Sequence, residues 1–236
     1  MTADAHLVAE FYASARGAVT ARIVRERVAR IWPSARGEAV LGLGYSMPYL
    51  RLWTDEAARC VALTPAQMGA ARWPSHVANL SCVAEEDALP FADLSFDRIL
   101  LVHGLEIAEN ARRLLREAWR VLKDDGRLLI VTPNRSGIWA YFDGTPFGHG
   151  QPYSSGQLGR LLAAGLFRVE QRDACLWMPP SNVRLLLRSA PLWERAGRKM
   201  MPGLAGVTLT EAVKDVYAAM PLRAVPRRRL VLAEAA

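Results

Sequence analysis

Between residues 39 and 132 the sequence repeats one pattern: a short, nearly continuous apolar run, a turn, then a more polar stretch. The runs are Ala39–Val40–Leu41–Gly42–Leu43, Cys60–Val61–Ala62–Leu63, Leu80–Val83, Phe96–Val102 and Arg127–Thr132. A strand with one solvated face alternates apolar and polar residues, whereas a strand apolar throughout has both faces covered. Such strands, alternating with helices, predict an α/β fold with a parallel sheet between two helical layers. Ligands of these sheets bind beyond the carboxyl ends of the strands, near the point where strand order reverses. The loops after Leu43, Leu63, Val83, Val102 and Thr132 are therefore the places to look for chemistry.

The intervening stretches predict one helix over Ala5–Trp32, a second over Tyr49–Ala58 with Pro48 in its first turn, and an amphipathic third over Asn110–Leu122. In the C-terminal third, Gln157–Ala164 reads as a short helix, Phe167–Arg172 as a strand, Asn182–Met200 as helical and Gly206–Val213 as a last strand. There is no internal repeat.

The 236 residues are 51% hydrophobic and 22% charged, enough material for one sizeable core. No run reaches the roughly 18 apolar residues of a membrane span. Asp4 and Glu10 interrupt the first residues, so no signal peptide is expected. Cys60, Cys82 and Cys175 lack metal-ligand spacing. They predict reduced thiols, a cytoplasmic setting and no metal site. The net charge of +7 is almost all arginine, and Arg227–Arg228–Arg229 reads as part of a solvated basic tail. That charge permits contact with nucleic acid or an anionic membrane, but no RNA-binding module is recognisable, so nucleic acid is not favoured as a partner.

Residues 84–134 carry a longer signature. An acidic loop and Leu89–Pro90–Phe91 precede Ser95–Phe96–Asp97; His103-x-Leu105–Glu106 follows, then Leu115–Arg116–Glu117 and Arg120–Val121–Leu122, a Gly126 turn and the next apolar run. This resembles a class I S-adenosylmethionine-dependent methyltransferase of the small Rossmann-like type. The resemblance implies a three-layer fold with a mostly parallel seven-stranded sheet. Its last strand would run antiparallel and form a hairpin with the sixth, and here an extra helical insert separates those two strands. It implies a single methyltransferase-like domain over 1–236: N-terminal helices to 36, a cofactor-binding half at 38–134, a substrate-side loop, insert and strands at 135–213, and the basic tail at 214–236.

The same resemblance assigns S-adenosylmethionine as cofactor and places Gly42, Gly44, Tyr45, Ser46, Leu63, Glu85, Asp87, Ala88 and His103 around it. Three departures stand out. Gly42 takes the place of an acid before the first loop, while Ser46 and Pro48 take the places of two glycines that normally let backbone approach the methionine part. Ala62–Leu63–Thr64 stands at the place of the acid that accepts the ribose hydroxyls, with Thr64, Asp55 or Glu56 as the groups that could compensate. Glu85 keeps the place of the acid near the adenine amine, or is a solvated loop acid. His103 either lines the site or packs. Glu106 and Arg120 read as surface or helix-capping charges, and Trp53, Trp73 and Trp119 as core.

After the fifth strand, Trp139 to Tyr153 is long and rich in aromatics and glycine, which suits a lid. Within it Asp143, His149 and Tyr153 either orient or deprotonate a nucleophile, as His103 could, or cap helices. The function implied is methyl transfer to an unidentified acceptor. Methyl transfer needs mainly alignment, so the acceptor leaves no signature here. The alternative is a catalytically inactive protein of the same fold acting as an interaction subunit. A nicotinamide site would need the third glycine and the ribose acid, both absent. The insert at 174–205 carries more apolar side chains than one short helix hides, among five basic residues, which predicts a pocket cover, a protein partner or a homodimer contact.

Overall fold

A computed structural model of the protein describes residues 5–69, 72–74 and 79–215. Its helices are α1 (Ala5–Ala13), α2 (Ala15–Ile31), α3 (Met47–Leu50), α4 (Ala111–Val121), α5 (Ser155–Ala164), α6 (Arg184–Arg188) and α7 (Ala190–Met200). Its strands are β1 (Ala39–Gly44), β2 (Arg59–Pro65), β3 (Ser81–Ala84), β4 (Phe96–Val102), β5 (Leu122–Pro133), β6 (Phe167–Cys175) and β7 (Val207–Lys214). They form one sheet of order β3-β2-β1-β4-β5-β7-β6. The first five run parallel, and β7 lies antiparallel between β5 and β6. The three-layer fold implied by the resemblance is the fold observed, including the insert α6–α7 between β6 and β7. Arg223 and Arg227–Arg229 lie outside the described residues.

The period of two shows directly in the packing. Val40, Leu100, Leu129 and Val131 face α2 and α3, with Val24, Val28 and Trp53, while Leu41, Leu43, Ile99, Leu101, Leu128 and Ile130 face α4 and α5, with Leu115 and Leu162. β1, Ile99–Val102 of β4 and Leu128–Pro133 of β5 are covered on both sides, as their apolar runs require, whereas β6 leaves Arg168, Glu170, Gln171 and Arg172 exposed.

Two helices differ from the sequence reading. The first is two: Ser14 has extended backbone and its hydroxyl accepts from Gly17 N–H, so it caps α2 and ends the continuity with α1. The stretch after Pro48 is only one turn of helix, followed by irregular turns to Ala58. A helix that short has four unpaired N–H groups and four unpaired C=O groups at its ends, so turns replace it readily.

Two charged groups tie the layers together. Glu211 on β7, 1% exposed, accepts from Trp32 Nε1 at 2.7 Å, Gln171 Nε2 at 2.6 Å and Arg127 Nη1 at 3.2 Å. Arg120 is not a surface charge. It donates to Glu117 at 2.7 Å, to Asp93 at 2.8 Å and to the carbonyls of Phe91 at 2.8 Å and Leu89 at 2.9 Å, fastening the β3–β4 loop to α4. Its guanidinium holds the Glu117 carboxyl below the usual carboxylate range, helped by Leu89 N–H and opposed by burial. A carboxyl depressed in the folded state stabilises above its unfolded pKa of about 4.3 and loses that contribution as pH falls. Glu117→Gln is therefore expected to flatten the acid side of a plot of urea midpoint against pH. Superimposable curves for the two proteins would refute the coupling.

Candidate functional site

Parallel register fixes where the strand ends meet. Gly44 pairs with Val102, and Leu43 with Leu63, so Gly44, Val102 and Thr64 reach the carboxyl edge of the sheet together. β1 neighbours both β2 and β4, which makes this edge the reversal point of strand order.

The loop after β1 turns at Gly44, whose φ is +74°. A Cβ there would overlap the Val102 carbonyl oxygen and come to 3.0 Å from Gly104 N. The turn is held by Tyr45 N–H donating to Val102 O at 2.8 Å. Gly44 is thus an approach position, and what approaches it in this structure is the chain leaving β4. Gly42 and Ser46 form a second unit. A Cβ on Gly42 would overlap the Ser46 hydroxyl and the Leu50 Cδ1 methyl. The space beside Gly42 is filled by the Ser46 side chain.

Beyond β4 the backbone of His103 is left-handed, with φ +49°, and its side chain is buried. Such a conformation in a non-glycine residue is strained and persists only where neighbours hold it. Here both ring nitrogens are held. Nδ1 lies 3.2 Å from Glu106 Oε1, and Nε2 lies 2.8 Å from Tyr12 Oη, which is itself 2.8 Å from Tyr49 Oη. The ring of Tyr12 stacks on Tyr45 with centroids 5.4 Å apart, and Phe147 of the lid sits 4.6 Å from the imidazole. Burial raises the pKa values of Tyr12, Tyr45, Tyr49 and Tyr153, and the nearby Glu106 charge adds to the rise for Tyr12 and Tyr153. Glu106, read from sequence as a surface or capping charge, is instead a buried carboxyl among a histidine and tyrosines.

The remaining sequence candidates scatter. Leu63 packs in the α4–α5 core with Leu41 and Leu43. Glu85 is exposed; its neighbour Glu86 is the buried acid, accepting from Asn110 N–H at 3.2 Å, and burial raises its pKa. Asp87 pairs with Arg113 at 3.1 Å on the surface, and Ala88 is exposed. Asp143 is exposed and His149 half-buried. Of the lid it is Phe147, not Asp143 or His149, that contacts His103. Sequence reasoning missed Tyr12, Tyr49 and Phe147, and misplaced Glu106. The His103–Gly104–Leu105–Glu106 spacing was the available sign for the last.

Three buried side-chain oxygens at this edge, Ser46 Oγ, Thr64 Oγ1 and Glu106 Oε2, have no hydrogen-bond partner among the described residues. Buried polar groups are nearly always paired, so each calls for a ligand or water. Those residues fit a nucleoside-bearing cofactor at the ribose end, with Thr64 in place of the acid. At the far side of the edge a pocket of about 460 Å³ opens between Asn134, Ser136, Ser154, Arg172, Arg198 and Thr208. No metal-binding cluster of His, Cys, Asp or Glu occurs among the described residues.

Comparison with known proteins agrees with this geometry. Residues 39–130 match a family model described as a methyltransferase domain. An uncharacterized protein of Mycobacterium tuberculosis is 32% identical over 111 residues, 44% of this chain and 39% of that protein. The ubiquinone/menaquinone biosynthesis C-methyltransferase UbiE of Klebsiella pneumoniae is 45% identical over 56 residues, 23% of this chain and 22% of that protein. The alignments thus span about two fifths and about a fifth of those relatives. A similar solved structure is the complex of the Haloferax volcanii Trm112 activator with a methyltransferase. It has a TM-score of 0.59 and 20% identity, covering 80% of this chain and 87% of that one. The chain therefore has the class I S-adenosylmethionine-dependent methyltransferase fold, with residues 39–130 matching its methyltransferase domain.

Proposed function

We propose that the chain binds S-adenosylmethionine beyond the ends of β1, β2 and β4 and transfers its methyl group to an acceptor. The observation that carries this reading is His103, buried at the β4 end beside Gly44 and held at both ring nitrogens. Thr64 and the backbone of the Gly44–Tyr45 turn would hold the cofactor, which supplies an already activated methyl group when bound. The protein's own contribution is alignment and, where the acceptor arrives protonated, a route for the proton. Glu106 fixes the orientation of the imidazole through Nδ1, so that Nε2 faces Tyr12 Oη, the route along which a proton would leave an acceptor. This is the orienting role a carboxylate plays toward a catalytic histidine elsewhere. Free cysteines at 60, 82 and 175 support a reducing, cytoplasmic setting for this chemistry.

A second reading, a protein of this fold that has ceased to transfer methyl groups and serves as an interaction subunit, is favoured by one feature. Gly42 and Thr64 replace both acids of the cofactor loops. Calorimetric titration with S-adenosylmethionine and S-adenosylhomocysteine separates the two. Binding tighter than about 100 μM is expected, and Thr64→Val should weaken it about tenfold by removing one hydroxyl partner. Absence of binding to the wild-type protein would leave the second reading standing.

A further inference from the structure

The described insert is basic throughout its exposed surface. From residue 182 to residue 206 its only acid is Glu194, which is buried and accepts from Trp177 N–H at 2.8 Å. Arg184, Arg188, Arg195, Arg198 and Lys199 are all exposed. Between them stand large apolar side chains in water: Val183 is 57% exposed, Leu185 75%, Leu192 65%, Met200 75%, Met201 44% and Leu204 49%.

We propose that this face docks on an anionic lipid surface. The arrangement distinguishes a bilayer from a protein partner. The centre of a protein interface is depleted of charge, with polar groups gathered at its rim. Here each of these apolar side chains except Leu204 has a cation within three positions: Val183 before Arg184, Leu185 between Arg184 and Arg188, Leu192 before Arg195, Met200 and Met201 after Lys199. Interleaved apolar and basic groups suit the headgroup boundary, where apolar side chains enter the acyl region and arginines meet phosphates. Glu194 faces inward, so no exposed acid of the insert opposes such a surface.

The patch also extends along the sheet edge. Asn134 Nδ2 donates to the carbonyls of Gly203 at 2.9 Å and Ala205 at 2.8 Å, drawing the start of the lid against the turn that carries Leu204. Ile138 and Tyr141 of that lid are 52% and 72% exposed. No helix is long and apolar enough to cross a membrane among the described residues, so the contact is peripheral.

The test is sedimentation of the full chain with vesicles of mixed phosphatidylglycerol and phosphatidylcholine, against vesicles of phosphatidylcholine alone, at low and high salt. Binding to the anionic vesicles only, released by salt, is expected. Leu185→Glu combined with Leu192→Glu should weaken it at least about tenfold. Both side chains are exposed, and an unchanged thermal midpoint checks that the fold is intact. Arg188→Gln with Arg195→Gln should weaken binding at low salt and reduce its dependence on salt. The proposal is overturned if wild type ignores anionic vesicles at low salt. It is equally overturned if binding survives the double glutamate change, which would assign it to basic residues elsewhere. A dimeric mass in solution that the double change makes monomeric, without vesicle binding, would assign the face to a second copy.

Discussion

Gly44→Val is expected to destabilise the protein by about 4 kcal/mol or more, enough to unfold a typical domain. The new Cβ meets the Val102 carbonyl and the Gly104 backbone, neither of which can rotate away. The backbone at φ +74° adds a further penalty for a β-branched residue. Gly42→Ala should be milder, about 1–3 kcal/mol, because φ is unstrained there and two of its three obstacles, the Ser46 hydroxyl and a Leu50 methyl, are ends of side chains, the third being Ser46 Cβ. Combining Gly42→Ala with Ser46→Gly should recover part of that loss, giving a coupling that a double-mutant cycle measures. Urea midpoints decide the matter. Equal tolerance of Gly44→Val and Gly42→Ala would disprove the packing account of the turn.

His103→Leu should cost about 3 kcal/mol, since it strips Glu106 Oε1 of its partner and leaves a buried carboxyl with neither oxygen hydrogen-bonded. His103→Gln keeps hydrogen-bonding capacity and should fold. With an acceptor that loses a proton on methylation, it should lower kcat by about 10²–10⁴ while changing KM little. With an acceptor that needs no base, kcat should stay near wild type. A loss of kcat equal for both acceptor types would show that His103 positions the site rather than carrying a proton.

The fold was legible because its signal is carried by many residues at once. Phe96–Val102 is apolar on both faces and its strand forms over those residues; Asn110 caps α4 where the sequence places a helix start. The site was less legible because its parts come from distant segments. Tyr12 reaches His103 only because Ser14 breaks the N-terminal helix, and nothing local to Tyr12 announces that contact. Glu85 and Glu86 are adjacent acids on one loop, and which of them turns inward is decided by Asn110 N–H, 24 positions away. Resemblance carried over single positions, and so assigned Gly42 and Ser46 separate losses where the structure shows one shared volume.

The place of β7 bears on how the chain must be made. Among the described residues β6 has no strand neighbour except β7, so the far edge of the sheet stays open until β7 arrives. From Cys175 to Val207 there are 32 further residues to synthesise, which takes roughly 2–6 s at about 5–20 residues per second. Through that interval β6 and the outer edge of β5 are both unpaired on a nascent chain. β6 carries Arg168, Glu170 and Arg172 among its exposed positions. Charges on an open strand discourage pairing with a neighbouring chain, so the same side chains that face water in the finished molecule protect it while the ribosome is still at work on the insert.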